Sequence, residues 1–324
     1  MSKMAFPTVG EAVMPRVSFG EALVELADKY KDFVVFDADV GASTQTARFR
    51  DTFPDRFYQA GIAEANMVGM AAGMATLGFT PVVSTFAVFL AKRSLDQIRV
   101  SIAYPNLNVK LNGAYGGLPT GKAGATHSSV QDLAVMRAMP NMTVIVPGDP
   151  VETKMATELA LEIDGPVYLR TVRCEVPVIF PDNHLLEYGK AVVLREGRDV
   201  ALISTGMMTP KAAQAADLLA TRGIKIRHIH LPFIKPLDKE AICGAASDCG
   251  RIVTVENHSV IGGLGGAVSE ALTDFCPCRL LRIGFPDIFM ESGDNEAIFT
   301  RLGMNVAEIT ARVEGFSREE RRTP

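Results

Sequence analysis

Residues 61 to 90 read GIAEANMVGMAAGMATLGFTPVVSTFAVFL, and this stretch decides the fold. Glu64 is its only charged residue. A run of this length could cross a membrane, but its glycines, Pro81 and four hydroxyl side chains interrupt the apolar pattern. We therefore reject a membrane span. We predict a buried helix from Ala63 to about Leu77, then a turn, then a strand from Pro81 to Thr85.

Glu64 opens this helix. A helix that is apolar on every face is expected to be covered on all sides, and its small residues allow a neighbouring helix to come close, including one from a second copy. A carboxylate at the head of such a helix is partly removed from water, which is costly unless a partner holds it. Desolvation raises the pKa of a carboxyl group and lets it share a proton with a basic nitrogen. Glu64 is therefore a candidate functional residue.

The composition narrows the class of protein. The chain has 324 residues, is 48% hydrophobic and carries a net charge of −4 without a concentrated basic patch, which argues against nucleic acid or an anionic membrane as the main partner. No long apolar segment follows the N-terminal lysine, so we expect no secretory signal. Five cysteines without a C-x-x-C pair predict neither a disulfide framework nor a zinc site, and they favour the reducing cytoplasm. Cys276 and Cys278 are expected to be inert thiols in a turn.

Strand and helix patterns alternate along the chain, which predicts an α/β fold with two domains, each a mostly parallel sheet flanked by helices. The first helix is expected from Val17 to Tyr30, with Ser18 as its cap. The predicted organisation is an N-terminal arm (1–14), a first domain (15–175), a linker (176–189) and a second domain (190–324).

Two further segments indicate where a ligand would bind. The predicted strand Phe33 to Phe36 ends in acidic residues, and ligands bind beyond the carboxyl ends of strands in open α/β sheets. Residues 112–129, NGAYGGLPTGKAGATHSS, form a long glycine-rich loop that contains His127. Loops of this length are usually functional or disordered. The loop is not a P-loop, because Gly121-Lys122 is followed by Ala123.

Several motifs occur in an informative order: G-x-x-E-A-N before a helix rich in glycine and alanine, then S-T-F-x-x-F, then G-x-x-H. In order and approximate spacing this set resembles the C-terminal half of transketolase. The resemblance covers essentially the whole chain and implies a pyrimidine-binding domain followed by the transketolase C-terminal domain.

The resemblance implies a role for each matching residue toward thiamine diphosphate. Glu64 matches the glutamate that hydrogen-bonds the N1′ nitrogen of the aminopyrimidine ring, and it is the main catalytic candidate. Phe89 matches the aromatic residue that stacks on this ring, and Phe86 matches the one that walls its pocket. Asp39 and Val40 match residues that lie against the cofactor.

The substrate side of the resemblance is less complete. His127 matches a histidine that contacts the oxygens of the donor sugar, while Ser43 and Arg173 match residues near the substrate phosphate. Because other sugar-reading positions differ, an ordinary pentose phosphate is not implied. The departures are Ala123 for an acidic residue, Tyr115 for a histidine, Ser128 for a glutamine, and Pro15, beside Arg16, for an arginine.

Enzymes that use thiamine diphosphate bind its diphosphate through Mg²⁺ or Ca²⁺ held by a G-D-G motif and a later N-N pair. Neither motif occurs in this chain, since Gly148-Asp149-Pro150 and Gly293-Asp294-Asn295 both fail. Mg²⁺ prefers carboxylate and phosphate oxygens, so the metal site must come from elsewhere. The resemblance therefore implies a separately encoded N-terminal subunit that holds the metal, an α2β2 assembly, and no metal ligand in this chain.

The leading hypothesis is the C-terminal subunit of a transketolase-type enzyme that transfers a two-carbon ketol unit from a ketose donor to an aldose acceptor. Three alternatives stay open: the β subunit of a 2-oxo acid dehydrogenase, a fragment similar to 1-deoxyxylulose-phosphate synthase, and a non-catalytic partner subunit. The S-T-F-x-x-F and G-A-T-H segments favour the first reading. Gly262 to Gly266 is interpreted as close packing of a helix on a strand rather than as a nucleotide site.

Overall fold

A computed structural model of the chain describes residues 10–118 and 120–319. A seven-stranded sheet forms the core of the first domain, in the order β12-β6-β7-β5-β4-β2-β3. Its pairs are parallel except for β12 with β6. The strands of this sheet are β2 (Phe33–Asp37), β3 (Phe57–Gln59), β4 (Thr80–Phe86), β5 (Lys110–Ala114), β6 (Thr143–Ile145), β7 (Val167–Arg170) and β12 (Phe233–Lys235).

The second domain is built on a five-stranded sheet in the order β14-β13-β10-β11-β9, which is parallel except for β9 with β11. The predicted fold class, two mostly parallel sheets flanked by helices, is confirmed. Its strands are β9 (Val192–Arg195), β10 (Val200–Ser204), β11 (Ile226–His230), β13 (Arg251–Ser259) and β14 (Arg279–Phe285), and a separate two-stranded pair is β1 (Ala12–Val13) with β8 (Val176–Pro177).

Helices cover both sheets. In the described parts of the chain, none is long and apolar enough to cross a membrane. Short 3-10 turns span Pro54–Arg56 and Gly121–Thr126, and a π-helical turn spans Ile98–Ala103. The α-helices are α1 (Pro15–Leu26), α2 (Gly41–Thr44), α3 (Ala47–Thr52), α4 (Glu64–Thr76), α5 (Ala87–Arg93), α6 (Leu95–Gln97), α7 (Asp132–Arg137), α8 (Pro150–Glu162), α9 (Met208–Thr221), α10 (Lys239–Cys249), α11 (Leu264–Phe275), α12 (Asn295–Arg301) and α13 (Val306–Arg318).

The charge-free stretch forms α4 and β4 within one residue of the predicted bounds. The expectation that α4 is covered on every side is wrong for this chain by itself. The sheet and the neighbouring helices bury one side of α4, including Met67, whereas Met70 is 39% exposed and Leu77 73% exposed on the other side. Beside Gly69 there is open space in which a Cβ atom would meet nothing within 4 Å. The open side of α4 carries no charge and has small side chains, as the sequence predicted for a face that another helix could approach.

The first helix begins earlier than predicted. Pro15 occupies the first turn of α1, where its missing N–H costs nothing, and Ser18 makes no cap and lies buried on the helix. Just before it, β1 pairs antiparallel with β8, so this part of the predicted arm is tied to the start of the predicted linker. The rest of the arm, residues 1–9, lies outside the described residues.

A strand and a buried arginine connect the two domains. β12 follows β11 in the chain but pairs with β6 of the first sheet. Arg170 donates to Asp132 at 2.7 Å and to the backbone oxygen of Asn257 at 3.0 Å, which joins β7 to β13. Burial opposes the charged form of Asp132, but the Arg170 guanidinium beside it holds the pKa of Asp132 below its usual value.

One cysteine prediction is wrong. Cys243 of α10 and Cys276, just after α11, form a disulfide with their Cα atoms 5.5 Å apart, so Cys276 is not an inert thiol. The two helices pack side by side, which brings together residues 33 positions apart that the sequence alone does not pair. Cys278 is a free cysteine, as expected.

The predicted close packing at Gly262 to Gly266 is confirmed. A Cβ atom on Gly263 would lie 2.0 Å from the carboxylate of Glu256. That carboxylate accepts hydrogen bonds of 2.7 Å from the backbone N–H groups of both Leu264 and Gly265, at the start of α11. The glycines therefore let a strand carboxylate meet the helix N-terminus.

We expect acid to weaken the fold through His228, which is fully buried and hydrogen-bonded to Ser204 at 2.8 Å. Burial, then the charges of His230 and Arg195, lower its pKa from 6.5 to about 3. The unfolded chain therefore binds more protons below about pH 6.5, and the free energy of unfolding falls as the pH falls toward about 4. In His228→Asn the free energy of unfolding should fall less between about pH 6.5 and about pH 4, by roughly 2–3 kcal/mol. Urea titrations at these two pH values measure the difference.

The control for this prediction is Asn305→Ala, which removes the cap of α13 in the same domain and no titratable group. It should leave the pH dependence of the unfolding free energy as it is in the wild type. An unchanged fall in His228→Asn would contradict the assignment.

Candidate active site

All the predicted site residues lie beyond the carboxyl ends of parallel strands of the first sheet. Asp39 follows β2, the head of α4 follows β3, Phe86 ends β4, Tyr115 follows β5 and Arg173 follows β7. Because these strands are neighbours and parallel, their carboxyl ends meet at one edge of the sheet. Side chains from separate parts of the sequence therefore converge on one site.

Glu64 is 4% exposed at the head of α4. Arg93, the last residue of α5, donates to Glu64 Oε1 at 2.8 Å, and its guanidinium carbon lies 3.9 Å from the centroid of the Phe89 ring. Within the described residues, Glu64 Oε2 accepts no hydrogen bond from the protein. Arg93 is half-exposed and was missed by the sequence analysis, although its spacing of four residues from Phe89 on a predicted helix could have indicated the stacking.

Four aromatic rings form one group, which Arg93 connects to Glu64. Phe86 stacks on Tyr115 with ring centroids 4.3 Å apart, and Phe89 lies 5.6 Å from Phe86. The imidazole of His127 meets the Phe89 ring edge-on at 5.3 Å. The structure therefore brings the predicted pair of phenylalanines to the predicted histidine, with Tyr115 as a further member.

The turn after β2 is held by Asp37, a fully buried carboxylate. It accepts hydrogen bonds from the backbone N–H of Val40 at 2.8 Å and from the Thr46 hydroxyl at 2.9 Å. Val40 packs against the aromatic group, whereas Asp39 is exposed and has a left-handed backbone with φ of 63°. Asp37 therefore fixes the turn that presents both predicted cofactor-side residues.

Two arginines flank Tyr115. Arg16 donates to the Tyr115 hydroxyl at 3.1 Å and to the backbone oxygen of Ser43 at 2.7 Å, and the Arg173 guanidinium carbon lies 5.3 Å from the Tyr115 ring centroid. The resemblance implies an arginine where Pro15 stands. In the structure the neighbouring Arg16, in the first turn of α1, reaches the predicted substrate side through these two hydrogen bonds.

Tyr115 also has a left-handed backbone, with φ of 60°, although it is a bulky residue. Such backbone is rare outside glycine, asparagine and aspartate, and it tends to occur where function requires it. The strained conformation turns the Tyr115 ring onto Phe86 and its hydroxyl toward Arg16.

A cavity of about 300 Å³ opens beside Arg173. Both domains line it, since Lys122 of the glycine-rich loop and Asp294 of the second domain lie on its wall.

Ala123 and Ser128 are the two remaining positions at which the chain departs from the transketolase pattern. Ala123 is exposed, and the buried Ser128 hydroxyl makes hydrogen bonds with the Thr120 hydroxyl and the backbone oxygen of Gly124. Ser128 therefore stabilises the loop.

Two known protein families match the chain. The transketolase pyrimidine-binding domain matches residues 11–178, and the transketolase C-terminal domain matches residues 189–309. The chain belongs to the transketolase family. Transketolases depend on thiamine diphosphate, and the two matched domains are those that the motifs predicted.

Relatives of similar length support the family assignment. A protein of Methanocaldococcus jannaschii named "Putative transketolase C-terminal section" is 42% identical over 92% of this chain and 94% of its own length. A 6-deoxy-6-sulfo-D-fructose transketolase subunit of a Clostridium species is 40% identical over 91% of both chains. A solved split-gene transketolase, described as an inactive β4 tetramer, matches with a TM-score of 0.86 at 42% identity over 94% of this chain and 98% of that one.

The residues of this transketolase-family chain fit the aminopyrimidine half of thiamine diphosphate. Glu64 offers a carboxylate oxygen that has no protein partner among the described residues, and Arg93 connects it to the aromatic group. The described residues contain no group of three or more acidic, histidine or cysteine side chains that could hold a metal ion. The described residues therefore fit the aminopyrimidine ring of the cofactor and not its metal-bound diphosphate.

Proposed function

We propose that this chain is the C-terminal, pyrimidine-binding subunit of an enzyme that transfers a two-carbon ketol unit from a ketose to an aldose. The observation that carries the proposal is Glu64, a nearly buried carboxylate at the head of α4, whose partner Arg93 stacks on the Phe89 ring. The head of α4 follows β3 at the edge of the sheet where ligands bind. In this role Glu64, Phe86 and Phe89 bind and orient the aminopyrimidine of thiamine diphosphate, whereas Tyr115 and His127 face the substrate.

Glu64 would hold a proton at the N1′ position of the ring, and its burial suits this task because water does not compete for that proton. Bound thiamine diphosphate supplies a nucleophilic carbon and an electron sink. Arg93 holds Glu64 Oε1, which leaves Oε2 for the ring nitrogen. His127 stands at the edge of the same aromatic group and would hydrogen-bond the oxygens of the donor sugar.

The metal-bound diphosphate belongs in this proposal to an N-terminal subunit. The sequence lacks both the G-D-G and the N-N motifs. Mg²⁺ or Ca²⁺ would be held by the partner, and the site would lie between the subunits of an α2β2 assembly. The open, uncharged side of α4 next to Glu64 is the kind of surface that such an assembly would cover.

An anionic sugar suits the substrate side. Arg16 and Arg173 flank Tyr115, and Lys122 adds a third cation at the cavity wall. Such groups bind phosphate or sulfonate through charge-assisted hydrogen bonds. One relative is named for a sulfonated sugar, which agrees with an anionic substrate without identifying the one used here.

The donor class distinguishes this function from decarboxylation of a 2-oxo acid. With the reconstituted enzyme, ketose phosphates and ketose sulfonates should be turned over in the presence of an aldose, and pyruvate or branched 2-oxo acids should not. Faster turnover of a 2-oxo acid than of every ketose would replace the proposal with the dehydrogenase alternative.

Removing either flanking cation should weaken binding of the anionic sugar. Arg16→Ala and Arg173→Ala should each raise the KM for the sugar by about ten-fold or more, because each loses a charge-assisted contact. Steady-state kinetics with the reconstituted enzyme measures this. Arg48→Ala, which removes an exposed arginine of α3, is the control and should leave KM unchanged. Unchanged KM values in both arginine variants would show that the anion binds elsewhere.

A further inference from the structure

The predicted glycine-rich loop, residues 112–129, begins only at Tyr115 in the structure, because residues 112–114 form the end of β5. The loop belongs to the first domain, but side chains and backbone of the second domain hold it. At its first half, the Asn257 side chain accepts a hydrogen bond from the backbone N–H of Leu118 at 2.9 Å and donates one to the backbone oxygen of Gly116 at 3.2 Å. Asn257 lies on β13 and is 2% exposed. One buried amide of the second domain therefore satisfies two backbone groups of the loop.

The sequence of the loop fits this contact closely. Gly117 has φ of +77°, and a Cβ atom there would lie 2.2 Å from the Asn257 amide nitrogen. The backbone oxygen of Asn257 in turn accepts from Arg170, which also donates to the backbone oxygen of Ser129 at 2.9 Å. The loop must carry glycine at 117 because Asn257 occupies the space next to it.

The second half of the loop is held by the segment just before α12. The backbone N–H of Gly293 donates to the backbone oxygen of Gly121 at 3.1 Å. A Cβ atom on Gly124, which has φ of +67°, would lie 2.3 Å from the Ser292 hydroxyl. The second domain therefore contacts the loop on both sides of Lys122, between Tyr115 and His127.

We propose that the C-terminal domain takes part in the reaction by fixing the glycine-rich loop, with Asn257 as the positioning residue. This inference rests on the proposed function, because the loop carries Tyr115 and His127, the residues assigned to the substrate. Glu64 and Phe89 lie on α4 and α5 outside the loop. Loss of Asn257 should therefore disturb the substrate side of the site and spare the cofactor side.

Proteolysis of the native chain tests the structural half of the inference without any activity. Lys122 is exposed in the loop, so trypsin can cut after it whenever the loop opens. The cut after Arg222, in an exposed turn of the second domain, serves as an internal reference. In Asn257→Ala the rate of the Lys122 cut relative to the reference should rise about ten-fold, as expected for the loss of two hydrogen bonds.

A conservative variant and a control variant accompany this measurement. Asn257→Asp keeps the acceptor for Leu118 and loses the donor, so its relative rate should rise less, and it carries the test if Asn257→Ala does not fold. Asn305→Ala removes the cap of α13 in the same domain, where Asn305 accepts from the backbone N–H of Glu308, and should leave the ratio unchanged. A wild-type ratio in the Asn257 variants that fold would overturn the inference.

The reconstituted enzyme tests the functional half. Asn257→Ala should raise the KM for the sugar by about ten-fold and leave the Kd for thiamine diphosphate within about two-fold of the wild type. Equal losses of sugar and cofactor binding would show general damage and overturn the positioning role. If no sugar is turned over by any form while the proteolysis ratio rises, the proposed function fails and the contact between the domains stands.

Discussion

Ketol-transfer activity should rise by at least about a thousand-fold when the chain is mixed with an N-terminal subunit, Mg²⁺ and thiamine diphosphate. The expected activity of the isolated chain is at background, because its two matched domains are the pyrimidine-binding and C-terminal domains and its sequence lacks G-D-G and N-N. In the proposed function Glu64 contacts the cofactor ring, and the N-terminal subunit holds the diphosphate. A coupled assay of aldose product against subunit ratio measures the rise.

Two controls separate metal-dependent assembly from mere stabilisation of the chain. A partner subunit whose G-D-G aspartate is changed to asparagine should still associate and should give no activity. Chelation of the metal should remove activity, and added Mg²⁺ or Ca²⁺ should restore it. Full turnover by the isolated chain with cofactor and metal would refute the split site.

The first domain was predictable where local pattern and topology agree. A run without charge after Glu64 gave both α4 and β4, because apolar periodicity and the turn at Gly78 act over a few residues. The rule that ligands bind beyond the carboxyl ends of strands in open α/β sheets placed Asp39 at this edge, and the parallel pairing of β2, β4 and β5 brings Phe86 and Tyr115 to the same edge. The position of the candidate site therefore follows from the order of the strands in the first sheet.

Other features depend on contacts that no local pattern encodes. Arg93 meets Glu64 across 29 positions, and Asn257 meets Leu118 across 139. β12 leaves the second domain to pair with β6, although its sequence does not distinguish it from its neighbours. An arginine was expected at position 15, but Arg16 is the residue that contacts Tyr115. Which of two adjacent side chains in the first turn of a helix faces the site cannot be read from local sequence.

Glu64→Gln should lower the turnover number of the reconstituted enzyme by about two orders of magnitude or more. Glutamine keeps the size of the side chain and its hydrogen-bonding reach, but it cannot share a proton with a ring nitrogen. Folding should survive, because Arg93 is half-exposed and water can solvate the charge that loses its partner. Single-turnover kinetics with saturating cofactor separates this loss from weaker binding.

The surface variant Glu25→Gln is the matched control, since it makes the same chemical change on an exposed residue of α1 and should retain wild-type turnover. Glu64→Asp gives an intermediate test, because its carboxylate can still share a proton but stands one methylene farther back. Its turnover should lie between those of Glu64→Gln and the wild type. Wild-type turnover in Glu64→Gln would mean that the ring is activated by another group, and the nearly buried position of Glu64 would then serve only the ion pair with Arg93.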